Sequence, residues 1–105
     1  MGLYRRYKVN EGVHIEGRGR SIDVVVKSVK GKKNRKEVDF KIIGIPEMSE
    51  IHISYLDGLV HLEDGIFVGV RNHEGRFVGR CDVEVHLKAP NDYKFDNIYP
   101  ESRQT

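Results

Sequence analysis

The chain has no tryptophan, one cysteine, two methionines and three prolines among its 105 residues. Each scarcity excludes something. A lone Cys81 forbids an intrachain disulfide, and no sequence signature pairs it with a His and an orienting acid. No apolar run approaches the ~20 residues of a membrane-spanning helix, so no membrane partner is expected. The start, Met1-Gly2-Leu3-Tyr4-Arg5-Arg6, has no apolar stretch behind its charges and does not read as a signal peptide. Myristoylation of Gly2 prefers Ser or Thr at residue 6, where Arg6 stands. The expected location is cytoplasmic. The helical period is missing too: no long window shows it.

What is present is period two. Ile22, Val24 and Val26 share one face, as do Val38, Phe40 and Ile42. Ile51, Ile53 and Tyr55 alternate with His52 and Ser54. Phe77 to Leu87 alternates with Val78 to Lys88, which places Cys81 on the inward face as a small core residue. Asp57-Gly58 and Asp64-Gly65 are two-residue hairpin signals. Asn72-His73-Glu74-Gly75 reads as a longer hairpin loop, and Gly17-Arg18-Gly19-Arg20 as a tight connection. Strands are predicted near 3–9, 12–16, 20–29, 37–45, 50–56, 59–63, 66–71 and 76–88. Seven or eight short antiparallel strands in meander order predict an all-β barrel or sandwich. Residues 1–88 form the single domain of this reading. Residues 89–105, interrupted by Pro90 and Pro100, form an irregular tail, partly docked through Tyr93, Phe95, Ile98 and Tyr99.

Two registers can be tested by parity. A hairpin at Asp57-Gly58 sets Tyr55 against Val60 and Ile53 against Leu62, so apolar meets apolar. One at Asp64-Gly65 sets Leu62 against Phe67 and His61 against Val68. Both faces of 66–70 then look apolar, which suits a strand buried twice or a subunit contact.

Charge is divided along the chain. Residues 1–45 hold 12 Lys/Arg against 5 Asp/Glu, whereas residues 46–105 hold 6 against 11. The whole-chain charge of +2 hides that division. The basic peak is Lys30-Gly31-Lys32-Lys33-Asn34-Arg35-Lys36, a polar loop between two strand-like runs. Such an asymmetry points to an acidic partner, commonly nucleic acid. Lys30, Lys32, Lys33, Arg35 and Lys36 are candidate phosphate contacts. Arg5, Arg6 and Lys8 add cations beside Tyr4 and Tyr7, which are candidate stacking residues, and Arg18 and Arg20 extend the patch. A solvated hairpin loop rich in Lys and Gly explains the same charge without a partner.

His14, His52, His61 and His86 each sit between two apolar residues, which turns them to the opposite face of a strand. Together on one outer face they would fit a zinc site, a pH-sensitive interface or a stacking surface, and an ordinary wet sheet face fits the pattern as well. No close ligand spacing supports a metal, and no cofactor or catalytic group is expected. No helix follows Gly17-Arg18-Gly19, so neither a dinucleotide fingerprint nor a P-loop is present.

A series of strand landmarks carries a family likeness. It runs from Arg5-Arg6 through Gly12-Val13-His14-Ile15 and Gly17 to Val24-Val25-Val26-Lys27-Ser28-Val29-Lys30-Gly31. Val38-Asp39-Phe40-Lys41-Ile42, Pro46 and Ile51-His52 follow. Residues 5–53 thereby resemble the carbon storage regulator family of small RNA-binding translational regulators. The resemblance implies an all-β intertwined homodimer that binds single-stranded leader RNA and blocks ribosome access. It assigns the RNA contact of the early basic pair to Arg5 and Arg6. The family's second contact, an Arg after the late Val-His, has no counterpart, because Ile53 follows His52.

The expected function is therefore non-enzymatic binding of RNA or another polyanion, by occlusion, in a homo-oligomer. The alternative is a protein-interaction or self-assembling module, such as a viral accessory or host-takeover protein, in which the basic half of one copy meets the acidic half of the next.

Overall fold

A computed structural model describes residues 2–31, 35–71 and 83–100. These contain nine strands and no helix. They are β1 (Gly2–Tyr7), β2 (Gly12–Gly17), β3 (Arg20–Lys30), β4 (Glu37–Ile43), β5 (Glu50–Ser54), β6 (Val60–Glu63), β7 (Ile66–Val70), β8 (Val83–Lys88) and β9 (Lys94–Ile98). All pair antiparallel, in a four-stranded sheet of order β1-β8-β7-β6 and a five-stranded sheet of order β5-β4-β3-β2-β9.

The period-two pattern explains why two sheets form. Val13, Ile15, Ile22, Val24, Val26, Val38, Phe40 and Ile42 all point inward from β2, β3 and β4. Ile66, Val68, Val70, Val83, Val85 and Leu87 point inward from β7 and β8 to meet them. Removing these apolar stripes from water drives the two layers together. Among the described residues Phe40 is the largest fully buried side chain, 1 % exposed.

The sandwich is open, so of the two architectures expected the barrel is not the one formed. β1 pairs with β8 rather than β2, and β5 has no ladder to β6. The chain changes sheet at both points, and the meander survives only within β2 to β5 and β6 to β8. The Asp57-Gly58 hairpin is therefore not formed, and the register Tyr55–Val60 and Ile53–Leu62 does not exist. The same turn chemistry serves a crossover instead. Asp57 Oδ2 accepts from the Ser54 amide at 2.7 Å, and the Tyr55 amide donates to the Lys36 carbonyl at 3.0 Å.

The Asp64-Gly65 hairpin is real, with φ of 50° and 78°, the mirror-image turn that suits twisted strands. Its register differs from parity by one residue. A bulge at Leu62 sets His61 against Phe67 and Val60 against Val68. The extra residue keeps Leu62 inside, 7 % exposed, and turns His61 outward. Gly17-Arg18-Gly19-Arg20 makes the equivalent turn between β2 and β3, with Arg18 and Gly19 at φ 54° and 73°.

The irregular tail is corrected in part. Residues 94–98 form β9, the edge strand beside β2, with Phe95 opposite Ile15. Ala89 and Tyr93 are buried in the same core as the strands before them. The two prolines flank the strand instead of interrupting it, which is where edge strands tolerate them. Of the strand expected over 76–88, the described part is β8. Cys81 and the loop Asn72 to Gly75 lie outside the described residues.

Candidate nucleic-acid interface

Alternation along β1 and β8 builds one outward face. Leu3, Arg5 and Tyr7 turn toward the interior side, whereas Gly2, Tyr4 and Arg6 turn out. Opposite them on β8 stand Lys88, His86 and Glu84, and β7 continues the rows with Phe67 and Gly69. Arg71, just beyond β7, donates its amide to the Glu84 carbonyl at 2.9 Å. The outer face is thus three rows deep: Arg6–Glu84–Arg71, Tyr4–His86–Gly69, and Gly2–Lys88–Phe67–His61. At ~4.8 Å between strands, the four strands span about 14 Å.

The side chains on this face touch. Tyr4 and His86 stack with ring centroids 4.3 Å apart and planes 24° from parallel. The Arg71 guanidinium lies over the Tyr4 ring, 4.5 Å from its centroid, and also bonds Glu84 Oε1 at 2.8 Å. His61 meets Phe67 at 5.0 Å between centroids. Tyr4 remains 52 % exposed. Burial and the neighbouring charges of Lys88 and Arg71 hold His86 below the usual imidazole range, so it is mainly neutral at pH 7. Among the described residues, Arg6, Arg71 and Lys88 share the face with one carboxylate, Glu84.

The face is bounded by the β5–β6 crossover. A Cβ on Gly69 would lie 2.8 Å from the Gly58 carbonyl oxygen and 3.3 Å from Leu59 Cδ2. Only a glycine lets that segment pass so close over β7. Leu56 and Leu59 stay exposed there, at 77 % and 38 %.

The cations expected to form one patch are separated. Tyr4 and Arg6 lie on this face. Arg5 and Tyr7 reach the other sheet instead: Asn97 Oδ1 accepts from Arg5 Nη1 at 2.5 Å and from the Tyr7 hydroxyl at 2.9 Å. Burial pushes the Tyr7 phenol up to about 12, against the lowering effect of Arg5. Lys8 is exposed after β1, its amide bonded to Glu11 Oε1 at 2.9 Å. Arg18 Nε donates to Asp92 at 2.7 Å, a bond that lowers the Asp92 carboxyl below its ordinary value. Arg20 pairs with Glu63 at 2.7 Å across the two sheets.

Lys30 lies at the far end of β3 from Arg20, ten residue steps or roughly 33 Å away. Lys30 and Arg35 are exposed, whereas Lys36 is buried at 4 % and its carbonyl is tied to Tyr55. Lys32 and Lys33 lie outside the described residues.

The chain's charge division is answered in part within the chain. Arg18–Asp92, Arg20–Glu63 and Lys27–Glu50 each join a cation of the first half to a carboxylate of the second. β1 also joins the sheet built from the second half, and β5 and β9 join the other. The sequence halves are therefore not spatial halves.

His14 and His52 sit on the outer face of the five-stranded sheet, each between two carboxylates. His14 Nδ1 meets Asp23 at 2.5 Å and its Nε2 meets Glu16 at 3.3 Å. His52 Nδ1 meets Asp39 at 2.7 Å and its Nε2 meets Glu37 at 3.1 Å. These bonds raise both imidazoles above their ordinary value, Asp23 and Asp39 being the larger causes. The carboxylates grip opposite edges of each ring, so they do not converge on one ion. Among the described residues no group of three or more His, Cys, Asp or Glu is placed to hold a metal.

Sequence reasoning marks His86 only as one of four outward histidines on one face, whereas the structure separates His14 and His52 from it, and Arg71, Lys88 and Phe67 are not marked at all. Alternation alone turns Glu84, His86 and Lys88 outward, but their apposition to Tyr4 and Arg6 depends on pairing across some eighty residues. Comparison of the chain with protein-family models, curated proteins and solved structures finds no match.

Proposed function

We propose that the protein binds single-stranded RNA, or a chemically similar polyanion, on the outer face of its four-stranded sheet, and acts by occlusion rather than chemistry. The carrying observation is the Tyr4–His86 stack with the Arg71 guanidinium over Tyr4, framed by Arg6 and Lys88. Aromatic rings and guanidinium planes accept unstacked bases regardless of sequence, and the cations neutralise the phosphates between them. The translational regulation implied by the family resemblance fits this mode, with Arg6 rather than Arg5 as the contact from the early pair.

The test is binding of a labelled oligouridine to wild-type, Tyr4→Ala and Arg6→Ser/Lys88→Ser proteins across salt concentration. Losing a stacking ring costs ~1–3 kcal/mol of affinity. Losing two phosphate contacts flattens the log–log salt slope by about 1.4. Wild-type affinity and slope in both variants, with the fold intact by circular dichroism, removes this face from the site.

A protein-interaction module, self-assembling or with another partner, is the second reading. Exposed Leu56, Leu59 and Tyr4 favour it. Sedimentation across ionic strength distinguishes the two, since a monomer at every salt concentration excludes self-assembly.

A further inference from the structure

Resting on the RNA reading above, we infer that His86 is a proton-linked contact of the same face: when protonated it adds a cation between Lys88 and Arg71, and polyanion affinity rises as pH falls. The placement carries this. His86 is at the centre of the three rows, against Tyr4 on β1 and beside Gly69 on β7. A Cβ on Gly2 would sit 3.4 Å from His86 Nε2, so that nitrogen lies beside Gly2 on the edge strand β1.

The charged and titratable groups around it are Glu84 and Lys88 on its own strand, Tyr4 and Arg6 from β1, and Arg71 beyond β7. Glu84 is already bonded to Arg71. In the free protein the cations oppose an imidazolium, and burial opposes it further. A bound phosphate reverses that balance, because it neutralises the cations and accepts from the ring N–H. Binding therefore takes up a proton. Protonation does not break the stack on Tyr4, because an imidazolium over a phenol ring gains a cation–π attraction.

The linkage has a definite sign. His86 is mainly neutral at pH 7, and Arg71 is held by Glu84, so neutral-pH affinity comes from Arg6, Lys88 and the rings. As pH falls through the imidazole's range, one more cation engages the backbone. One extra phosphate contact on a single strand steepens the salt slope by about 0.7, or roughly fivefold in affinity at 0.1 M salt.

The experiment measures oligouridine affinity from pH 7.5 to 5.5, at several salt concentrations, for wild-type, His86→Gln, His61→Gln and the doubly substituted His14→Gln/His52→Gln protein. Two-dimensional NMR follows the His86 ring with and without the oligonucleotide. The expected result is about fivefold tighter binding at low pH with a slope steeper by about 0.7. The response vanishes in His86→Gln and persists in the other variants. The ring titrates at higher pH when the oligonucleotide is bound. Binding whose pH response survives in His86→Gln, or disappears in His61→Gln instead, overturns the inference and leaves the RNA reading in place. Absence of binding by the wild-type protein at any pH overturns the RNA reading itself.

Discussion

Arg20 separates a structural cation from a functional one. The sequence offers it as a phosphate contact, whereas the structure places it between the sheets, on Glu63 at 2.7 Å and on the Gly44 carbonyl at 3.3 Å. A cycle of Arg20→Ala, Glu63→Ala and the double variant isolates the pair. Arg20 is 43 % exposed and Glu63 21 %, so solvent screens the attraction. Exposed pairs couple by ~0.2–1 kcal/mol, and the partial burial of Glu63 puts this one in the upper half, about 0.5–1 kcal/mol. Arg20→Ala loses in addition its bond to Gly44. Urea unfolding gives the coupling directly, and for a domain of this size a loss of ~1 kcal/mol lowers the melting temperature by about 4–8 °C. Oligouridine binding by the same variants should keep the wild-type salt slope. Coupling near zero, together with a slope flattened by about 0.7 in Arg20→Ala, would refute the assignment and return Arg20 to the binding surface.

Other outcomes follow from packing and charge. Phe40→Ala should cost ~3–5 kcal/mol, read from denaturant midpoints, because the side chain is fully buried between the sheets. Gly69→Ala should cost ~1–3 kcal/mol, since its methyl group would meet the Gly58 carbonyl; a neutral effect would mean that the crossover shifts freely. The raised imidazoles of His14 and His52 contribute stability that is fully present below pH ~6.5 and lost as pH rises through their folded-state values. Wild-type protein should therefore exceed His14→Gln/His52→Gln in stability by more at pH 5.5 than at pH 8.5, by under ~1 kcal/mol per site given their exposure. Asp39, lowered by His52 and Ser28, acts in the opposite sense: its contribution is lost as pH falls below ~4. Asp39→Asn should accordingly be less stable than wild type at pH 7, converge with it as pH falls below ~4, and unfold in acid at the same pH as wild type or higher.

The strands β2 to β4 and β8 were legible because each obeys a two-residue period with β-branched residues on the buried side. Their inward sets, such as Ile22, Val24 and Val26, match the core. The Gly17 to Arg20 and Asp64-Gly65 turns were legible because their residues tolerate positive φ. β9 was not. Lys94-Phe95-Asp96-Asn97-Ile98 carries no clean alternation, and it forms a strand because β2 has a free edge and Asn97 can receive Arg5 and Tyr7. Asp57-Gly58 reverses the chain as its residues predict, but it leads into a crossover and not a hairpin. Local chemistry fixes the reversal of the chain but not the sheet that the next strand enters.

The charge division shows the same boundary. The sequence by itself determined an all-β chain, its inward residues and a surplus of cations in its first half, because these follow from local period and composition. Only the tertiary structure decided which cations stay available. Arg18, Arg20 and Lys27 are taken by carboxylates of the second half, Arg5 by Asn97, while Arg6 is carried to a face shared with His86, Lys88 and Arg71. Pairing partners far apart along the chain are set by how whole sheets bury their apolar faces, and no local window holds that information.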